Sequence, residues 1–367
     1  MKIGILGARG IPNAYGGFEQ FAQHLALGLV RKKHGVSVYN SHSHPYQEKQ
    51  WNGVEIIHCK DPESRLGTVG QFLYDFNCLR DARRRDFNIL LQLGYTSNSV
   101  WHRIWPEKMI QIVNMDGLEW KRSKYSPQVR QFLKRAEKWA AIHADILISD
   151  SKGIQEHLVS QYGRNSFYIP YGADIPARIE DKSPAGWNLN KHRYFLLVAR
   201  MEPENNIQTI IEGYLNTAEK DPLVIVGGYG NAFGRYLSKK YEDPRIRFIG
   251  PVYDPEQLNG LRFYSKLYFH GHSVGGTNPS LLEAMSCQCV IAAHNNIFNR
   301  AVLGAEAYYF SDARSIQNMI TSQSPEALTR EWQRINLEKI RNIYSWEKVV
   351  EAYETVFLDA LNAWNVD

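Results

Sequence analysis

Apolar residues in this chain come in short runs divided by longer amphipathic stretches. The first run, Lys2–Gly7 (KIGILG), ends in glycine and opens into the loop Ala8–Gly17. From Phe18 to Lys33 the period changes. Phe21, Leu25, Leu29 and Val30 recur at helical spacing, which predicts a helix with one buried face. Val36–Asn40 (VSVYN) comes next as a second strand, and a strand, a helix and a strand in close succession form a βαβ unit with a parallel sheet. Phe87–Leu93, Met109–Asn114 and Asp145–Asp150 read as further buried strands, each ending in loop residues where such sheets bind ligands.

The pattern breaks at Tyr171–His192, a stretch rich in Pro, Gly and charge that reads as a linker. A second series then begins: strands in Arg193–Arg200, Pro222–Gly228, Ile246–Gly250, Lys266–His270 and Cys289–Ala293, with a helix over Ile207–Leu215. The pattern predicts an α/β chain of two Rossmann-like domains, 1–175 and 190–345. Ser345–Trp364 is amphipathic and helical, and by pattern alone a helix over 346–367 closes the second domain, while its resemblance to the terminal helix of a known two-domain family implies a return to the first.

The length of 367 residues and the 44% apolar content agree with two ordinary cores. No apolar stretch reaches the ~18 residues of a membrane span, and residues 1–30 carry no cleavage-site pattern. Cys59, Cys78, Cys287 and Cys289 have no paired zinc spacing, so reduced buried thiols and a cytoplasmic location are expected. The net charge of +5 is uneven: residues 1–185 hold 25 Lys/Arg against 18 Asp/Glu, and the rest of the chain is slightly acidic. Seven basic residues fall between Lys121 and Lys138: Lys121, Arg122, Lys124, Arg130, Lys134, Arg135 and Lys138. A solvated basic face explains them; so does docking to an anionic membrane or a lipid diphosphate. No nucleic-acid module is present, and nucleic acid is not an expected partner.

Candidate chemistry concentrates at His270–Met285 (HGHSVGGTNPSLLEAM). Gly275 and Gly276 allow close backbone approach. Thr277, Asn278 and Ser280 lead into a helix whose start offers unpaired N–H groups to an anion, and Glu283 adds an acceptor for sugar hydroxyls. The same residues also make good loop and helix-start chemistry. Gly16-Gly17 before the first helix is a second anion-binding candidate. Arg200 ends a strand and suits a phosphate, or a salt bridge with Glu202 or Glu204. Asn205 and Asn206 donate hydrogen bonds without charge. Asp116, after the strand Met109–Asn114, either faces a reacting centre or caps the next turn. A dinucleotide fingerprint fails, because Arg9 stands where its second glycine belongs and the second strand ends in Tyr39-Asn40 without an acid. His270 and His272 lack a third ligand at metal spacing, and no Asp-x-Asp triplet occurs, so no metal and no cofactor is expected.

The stretch Gly275–Met285 resembles the donor-binding motif of glycosyltransferase family 4, whose members have the GT-B fold of two facing Rossmann-like domains with an interdomain cleft. Glu283-Ala284-Met285 matches the second half of that motif; Gly275 replaces its first glutamate. Gly16-Gly17-Phe18-Glu19 is similar to the family's Gly-Gly-x-Glu loop at the donor diphosphate. Arg200 matches a diphosphate-binding arginine, while Asn205 and Asn206 stand where a lysine is usual. Pro203–Asn206 (PENN) and the glycine-rich stretch together resemble a bacterial rhamnosyltransferase-like subgroup of surface-polysaccharide assembly. The resemblance implies a retaining, metal-independent glycosyltransferase with Asp116, Arg200 and Glu283 at the reaction. It implies a nucleotide-sugar donor, dTDP-L-rhamnose or a UDP-sugar, and a lipid-diphosphate-linked saccharide acceptor. An epimerase and a non-catalytic subunit are the alternatives. Peripheral attachment to the inner face of the cell membrane fits the same picture.

Overall fold

The computed structural model describes residues 1–14, 16–122, 125–179, 184–322 and 325–364, so Lys124 and part of the expected linker lie outside the described residues. The backbone divides into two compact units. The first holds Met1–Lys121, Tyr125–Tyr171 and the segment from Trp346 on; the second holds Gly172–Ser345 together with Arg122.

In chain order the first unit contains β1 (Lys2–Leu6), α1 (Gly17–Arg31), β2 (Gly35–Ser41), β3 (Gln50–Trp51), β4 (Val54–Cys59), α2 (Glu63–Leu66), α3 (Thr68–Ala82), β5 (Ile89–Leu93), β6 (Ile110–Met115), α4 (Pro127–His143), β7 (Ile146–Ser149), α5 (Lys152–Tyr162) and β8 (Phe167–Tyr168). The sheet order is β3-β4-β2-β1-β5-β6-β7-β8, and every pairing except β3–β4 is parallel. Every residue of β5 and β6 is buried, because helices cover both faces of a parallel sheet and leave no solvent side to alternate with. Ser126 caps α4 ahead of Pro127, and Ser151 caps α5, whose last turn is closed by the left-handed Gly163.

A terminal helix, Trp346–Trp364, belongs to this first unit. Its face of Val349, Val350, Tyr353, Val356, Phe357 and Ala360 is part of the core that holds Phe21, Leu25, Leu29 and Ile112. Trp346 stacks on His24 at 4.3 Å, Lys32 pairs with Glu354 at 2.7 Å, and the Asn114 amide donates to the Tyr353 hydroxyl at 2.9 Å.

The second unit contains β9 (Phe195–Val198), α6 (Ile207–Leu215), β10 (Leu223–Val226), α7 (Ala232–Lys240), β11 (Ile246–Gly250), α8 (Pro255–Phe263), β12 (Leu267–His270), α9 (Pro279–Ser286), β13 (Ile291–His294), α10 (Ile297–Leu303), β14 (Tyr308–Phe310), α11 (Ala313–Thr321) and α12 (Glu326–Asn342). Its sheet is parallel throughout, in the order β11-β10-β9-β12-β13-β14. Asn231, Asp254, Asn278, Asn296 and Asp312 cap α7, α8, α9, α10 and α11 in turn, which fixes where the loops ahead of them end. All four cysteines are buried free thiols.

Candidate functional site

An open parallel sheet binds ligands beyond the carboxyl ends of its strands, where the strand order reverses and adjacent loops part. In the first sheet that point lies between β1 and β5; in the second it lies between β9 and β12.

Beyond β1, the chain at Ile11 is braced from below by Asn40, which is fully buried. Its Oδ1 accepts from the Ile11 N–H at 3.0 Å and its amide donates to the Ile11 carbonyl at 2.8 Å. The residue that would be an acid in a dinucleotide site is therefore a loop brace. Gly16 precedes α1 in an extended conformation without a side-chain cap. The N–H groups of Gly17, Phe18 and Glu19 have no partner among the described residues, so this helix start stays open to an acceptor. Glu19 is buried under it, accepting from the Arg9 N–H at 2.9 Å.

Asp116 lies just after β6, half-buried at the same edge of the sheet. The turn after it rests on a polar cluster that the sequence did not announce. The Tyr95 hydroxyl donates to the Gly117 carbonyl at 3.1 Å and accepts from the Glu119 N–H at 3.2 Å. Beneath, buried Glu137 accepts from Trp120, His157 and Tyr162 at 2.7–2.9 Å. Burial alone would raise the Glu137 carboxyl; those donors outweigh it and hold its pKa below the usual value.

In the second sheet, Arg200 leaves β9 with its side chain exposed. Among the described residues it has no ion-pair or side-chain hydrogen-bond partner, so the salt bridge to Glu202 or Glu204 does not form. Glu204 lies instead 3.9 Å from Arg122. Asn205 and Asn206 turn inward: the first donates to the Arg200 carbonyl and the second to the Gly271 carbonyl, both at 2.8 Å. They tie the loop after β9 to the loop after β12. Gly271 is the contact point, since a Cβ there would run into the Asn205 carbonyl.

The loop after β12 corrects one expectation. The start of α9 offers no unpaired N–H groups to an anion. Pro279 has none, Ser280 donates to the Asn278 side chain at 3.0 Å, and Leu281 and Leu282 donate to the Asn278 carbonyl. The open donors lie upstream, at the Gly275 and Gly276 N–H groups, which have no partner among the described residues. Gly275 sits at φ +128° with open space around it, a conformation that only glycine takes without strain. Thr277 is buried, and the Ser280 hydroxyl is 2.7 Å from that of Tyr268.

Glu283 is the second surprise. It lies beyond the first turn of α9 and takes the guanidinium of Arg262 at 2.5 Å. Arg262, on α8, is only 2% exposed. Burial opposes its charge, yet Glu283 outweighs that and holds its pKa above the ordinary value. One third of the Glu283 side chain remains exposed, so the carboxylate is oriented without being covered. Nothing in the sequence pattern points to Arg262, a single basic residue near the end of a short helix.

His270 and His272 stack at 4.4 Å beside these loops. Burial, then the neighbouring histidines, drives His270 well below its usual pKa; burial, then Arg200 and Arg122, lowers His272 to about 3. Both are neutral at physiological pH. Among the described residues no group of three or more His, Cys, Asp or Glu converges to hold a metal.

Residues 1–174 match the model of a family described as a domain of unknown function, DUF1972. No curated protein matches the sequence. Solved structures match over the whole chain. Sucrose-phosphate synthase from Thermosynechococcus elongatus superposes with a TM-score of 0.82 at 15% identity, covering 99% of both chains. HepE from Anabaena, in complex with UDP, gives 0.74 at 14% identity over 98% of this chain and 100% of its own. A trehalose 6-phosphate synthase from Burkholderia multivorans gives 0.74 at 10% identity, covering 100% and 98%. At such identities the likeness establishes architecture alone: the chain is an α/β protein of two Rossmann-like domains with the GT-B fold.

Proposed function

We propose that this protein is a retaining glycosyltransferase that moves a sugar, L-rhamnose from dTDP-L-rhamnose, onto a lipid-diphosphate-linked saccharide. The observation that carries the transferase reading is Arg200, a cation without an ion pair among the described residues, on a loop at the reversal point of the second sheet that is hydrogen-bonded to the loop carrying the open Gly275 and Gly276 N–H groups. A cation and backbone donors on two loops tied together suit a diphosphate leaving group, whose charge grows as the glycosidic bond breaks. Glu283, oriented by Arg262, accepts hydroxyls of the ribose or the sugar. Asn205 and Asn206 shape the loop that presents Arg200. Thr277, Asn278 and Ser280 set the path of the chain from Gly276 into α9.

With no enzyme nucleophile assigned, retention results from attack on the face the donor leaves. The acceptor oxygen bonds to the anomeric carbon, the bond to the diphosphate breaks, and the acceptor proton passes to a diphosphate oxygen. Asp116 stabilises the positive charge that develops on the sugar. Gly16, Gly17 and the open start of α1 form an anion-binding site of the first unit. No step calls for a metal, so transfer proceeds in EDTA; activity lost there and restored by Mg²⁺ or Mn²⁺ would overturn this chemistry.

The outer side of α4 supports a membrane-held acceptor. Lys134, Arg135 and Lys138 are exposed, and the helix's one acid, Glu137, points inward. Phe72 meets Phe132 at 5.7 Å and so sets α3, with exposed Val69 and Leu73, beside α4. Cationic and aliphatic side chains together suit an anionic bilayer surface at the inner face of the cell membrane.

The rhamnose donor rests on the resemblance of the Pro203–Asn206 and Gly275–Met285 stretches. A UDP-hexose or UDP-N-acetylhexosamine is the second reading, favoured by Anabaena HepE, a structural neighbour solved in complex with UDP-glucose. Thermal shift with dTDP-L-rhamnose, UDP-glucose and UDP-N-acetylglucosamine, followed by transfer assays on a lipid-diphosphate saccharide, decides between them. Stabilisation and turnover with a UDP-sugar alone would remove rhamnose; no stabilisation by any of the three would remove the transferase reading.

A further inference from the structure

The candidate donor loops leave the carboxyl ends of strands. At the opposite edge of the first sheet lies a hollow of about 880 Å³, within the ~300–1,000 Å³ range of small-molecule sites. Met109 and Asp145, the residues just ahead of β6 and β7, lie on its wall, as does His143 at the end of α4.

Three tryptophans from three segments face this space. Trp105 is almost buried, Trp139 is half-buried, and Trp364, near the end of the terminal helix, is 45% exposed. His102 lies between Trp139 at 5.8 Å and His143 at 4.2 Å, so the rings form one continuous stack. Around these flat apolar faces the polar groups are idle. The indole N–H groups of Trp139 and Trp364, both ring nitrogens of His143, the Arg103 guanidinium and the Glu107 carboxylate have no hydrogen-bond partner among the described residues.

Charge then selects the ligand class. Glu107 and Asp145 set two carboxylates against the single guanidinium of Arg103. Burial, then His102 and Arg103, lowers the His143 pKa and keeps the ring neutral at physiological pH. The walls therefore carry no excess of positive charge, and a phosphate or carboxylate ligand would meet two carboxylates. A neutral ligand is called for, with flat C–H faces for the rings and hydroxyls for the idle donors and acceptors. Pyranose sugars have both.

We propose that this hollow is a saccharide-binding site for a neutral oligosaccharide of a few pyranose units, separate from the carboxyl-edge loops. Because its walls lie at the other edge of the sheet, it stands or falls independently of the transferase reading.

The nine tryptophans give nine indole N–H signals in a ¹⁵N-resolved spectrum. Those of Trp139 and Trp364 are assigned from Trp139→Phe and Trp364→Phe. Titration with cellotetraose, maltotetraose or an α-linked tetrarhamnoside should shift both signals saturably in the millimolar range, while sodium phosphate should not. Trp364→Ala, at an exposed position, should weaken binding about tenfold with the melting temperature unchanged, and Glu107→Gln should weaken it several-fold. The proposal fails if neither signal moves with any of the three sugars at about 20 mM, if phosphate moves them equally, or if Trp364→Ala leaves the titration unchanged.

Discussion

Two helices begin at the carboxyl edges of the two parallel sheets, each just after glycines, and they treat an incoming anion differently. At α1 the residue ahead of the helix is Gly16, with no side chain to cap it, so Gly17, Phe18 and Glu19 keep open N–H groups. At α9 Asn278 and Pro279 close the helix start completely, and the open donors move upstream to Gly275 and Gly276. A glycine pair before a helix is thus not one device. The residues immediately after the pair decide whether the helix dipole or the loop backbone meets the ligand. Arg200, which has no ion pair among the described residues, lies in the unit whose helix start is closed.

The largest effect should come from Arg200→Ala, which leaves the second unit with backbone donors only. Loss of about 2–4 kcal/mol of transition-state stabilisation, roughly 30- to 1,000-fold in kcat/KM, is expected with an unchanged melting temperature. A folded variant with wild-type kinetics would remove Arg200 from the site.

Glu283→Gln should act on the fold as well as on the donor. Arg262 is buried against that carboxylate, so the variant should lose about 2 kcal/mol in urea denaturation, below the 3–5 kcal/mol of a wholly buried pair because Glu283 is partly exposed. Unaltered stability would mean that Arg262 does not depend on Glu283.

Acid should weaken the second unit by a similar amount. His272 is neutral when folded, with a pKa near 3, whereas an unfolded histidine titrates near 6.5. The unfolded state therefore binds the extra proton first. The stability tied to neutral His272 is intact above pH 6.5 and is lost progressively as pH falls toward 3, about 2 kcal/mol of it by pH 5. Melting temperatures at pH 7.5, 6.5 and 5, beside those of His272→Phe, read this directly; an equal acid loss in the variant would rule it out.

The smallest effects bear most directly on the two helix starts. Asn278→Ala uncaps α9 and should cost about 1 kcal/mol. Gly17→Ala adds a methyl group with ordinary space around it and should keep or gain up to about 1 kcal/mol. If the open start of α1 meets a diphosphate, Gly17→Ala should nevertheless slow transfer. Unchanged turnover would show that the loops of the second unit suffice.

How much of the fold is legible in the sequence depends on what burial does to a pattern. Strands covered on both faces, such as β9 and β10, are continuous apolar runs and stand out at once. β3, β4 and β14 do not, because they are short or interleave exposed residues. In the candidate site, Arg200 and Gly275 are visible because a strand end and a glycine pair are local signals. The Arg262–Glu283 pair is not, since two residues 21 positions apart on different helices leave no local trace. Asn40 draws notice in the sequence only for the acid it is not; its bonds to the backbone of Ile11 depend on strand order.

The terminal helix bears on how the protein is made. Its buried face is part of the core around β1 and α1, which leave the ribosome long before it does. Between them the whole second unit must be synthesised, a wait on the order of ten seconds or more at about 5–20 residues per second. For that interval the nascent first sheet carries an uncovered apolar groove where Tyr353 and Phe357 will lie. Residues 1–174, the stretch matched by the domain family, hold the complete first sheet but not this last covering helix. Expressed alone, that fragment should be prone to aggregate, and joining residues 346–364 to it should restore solubility.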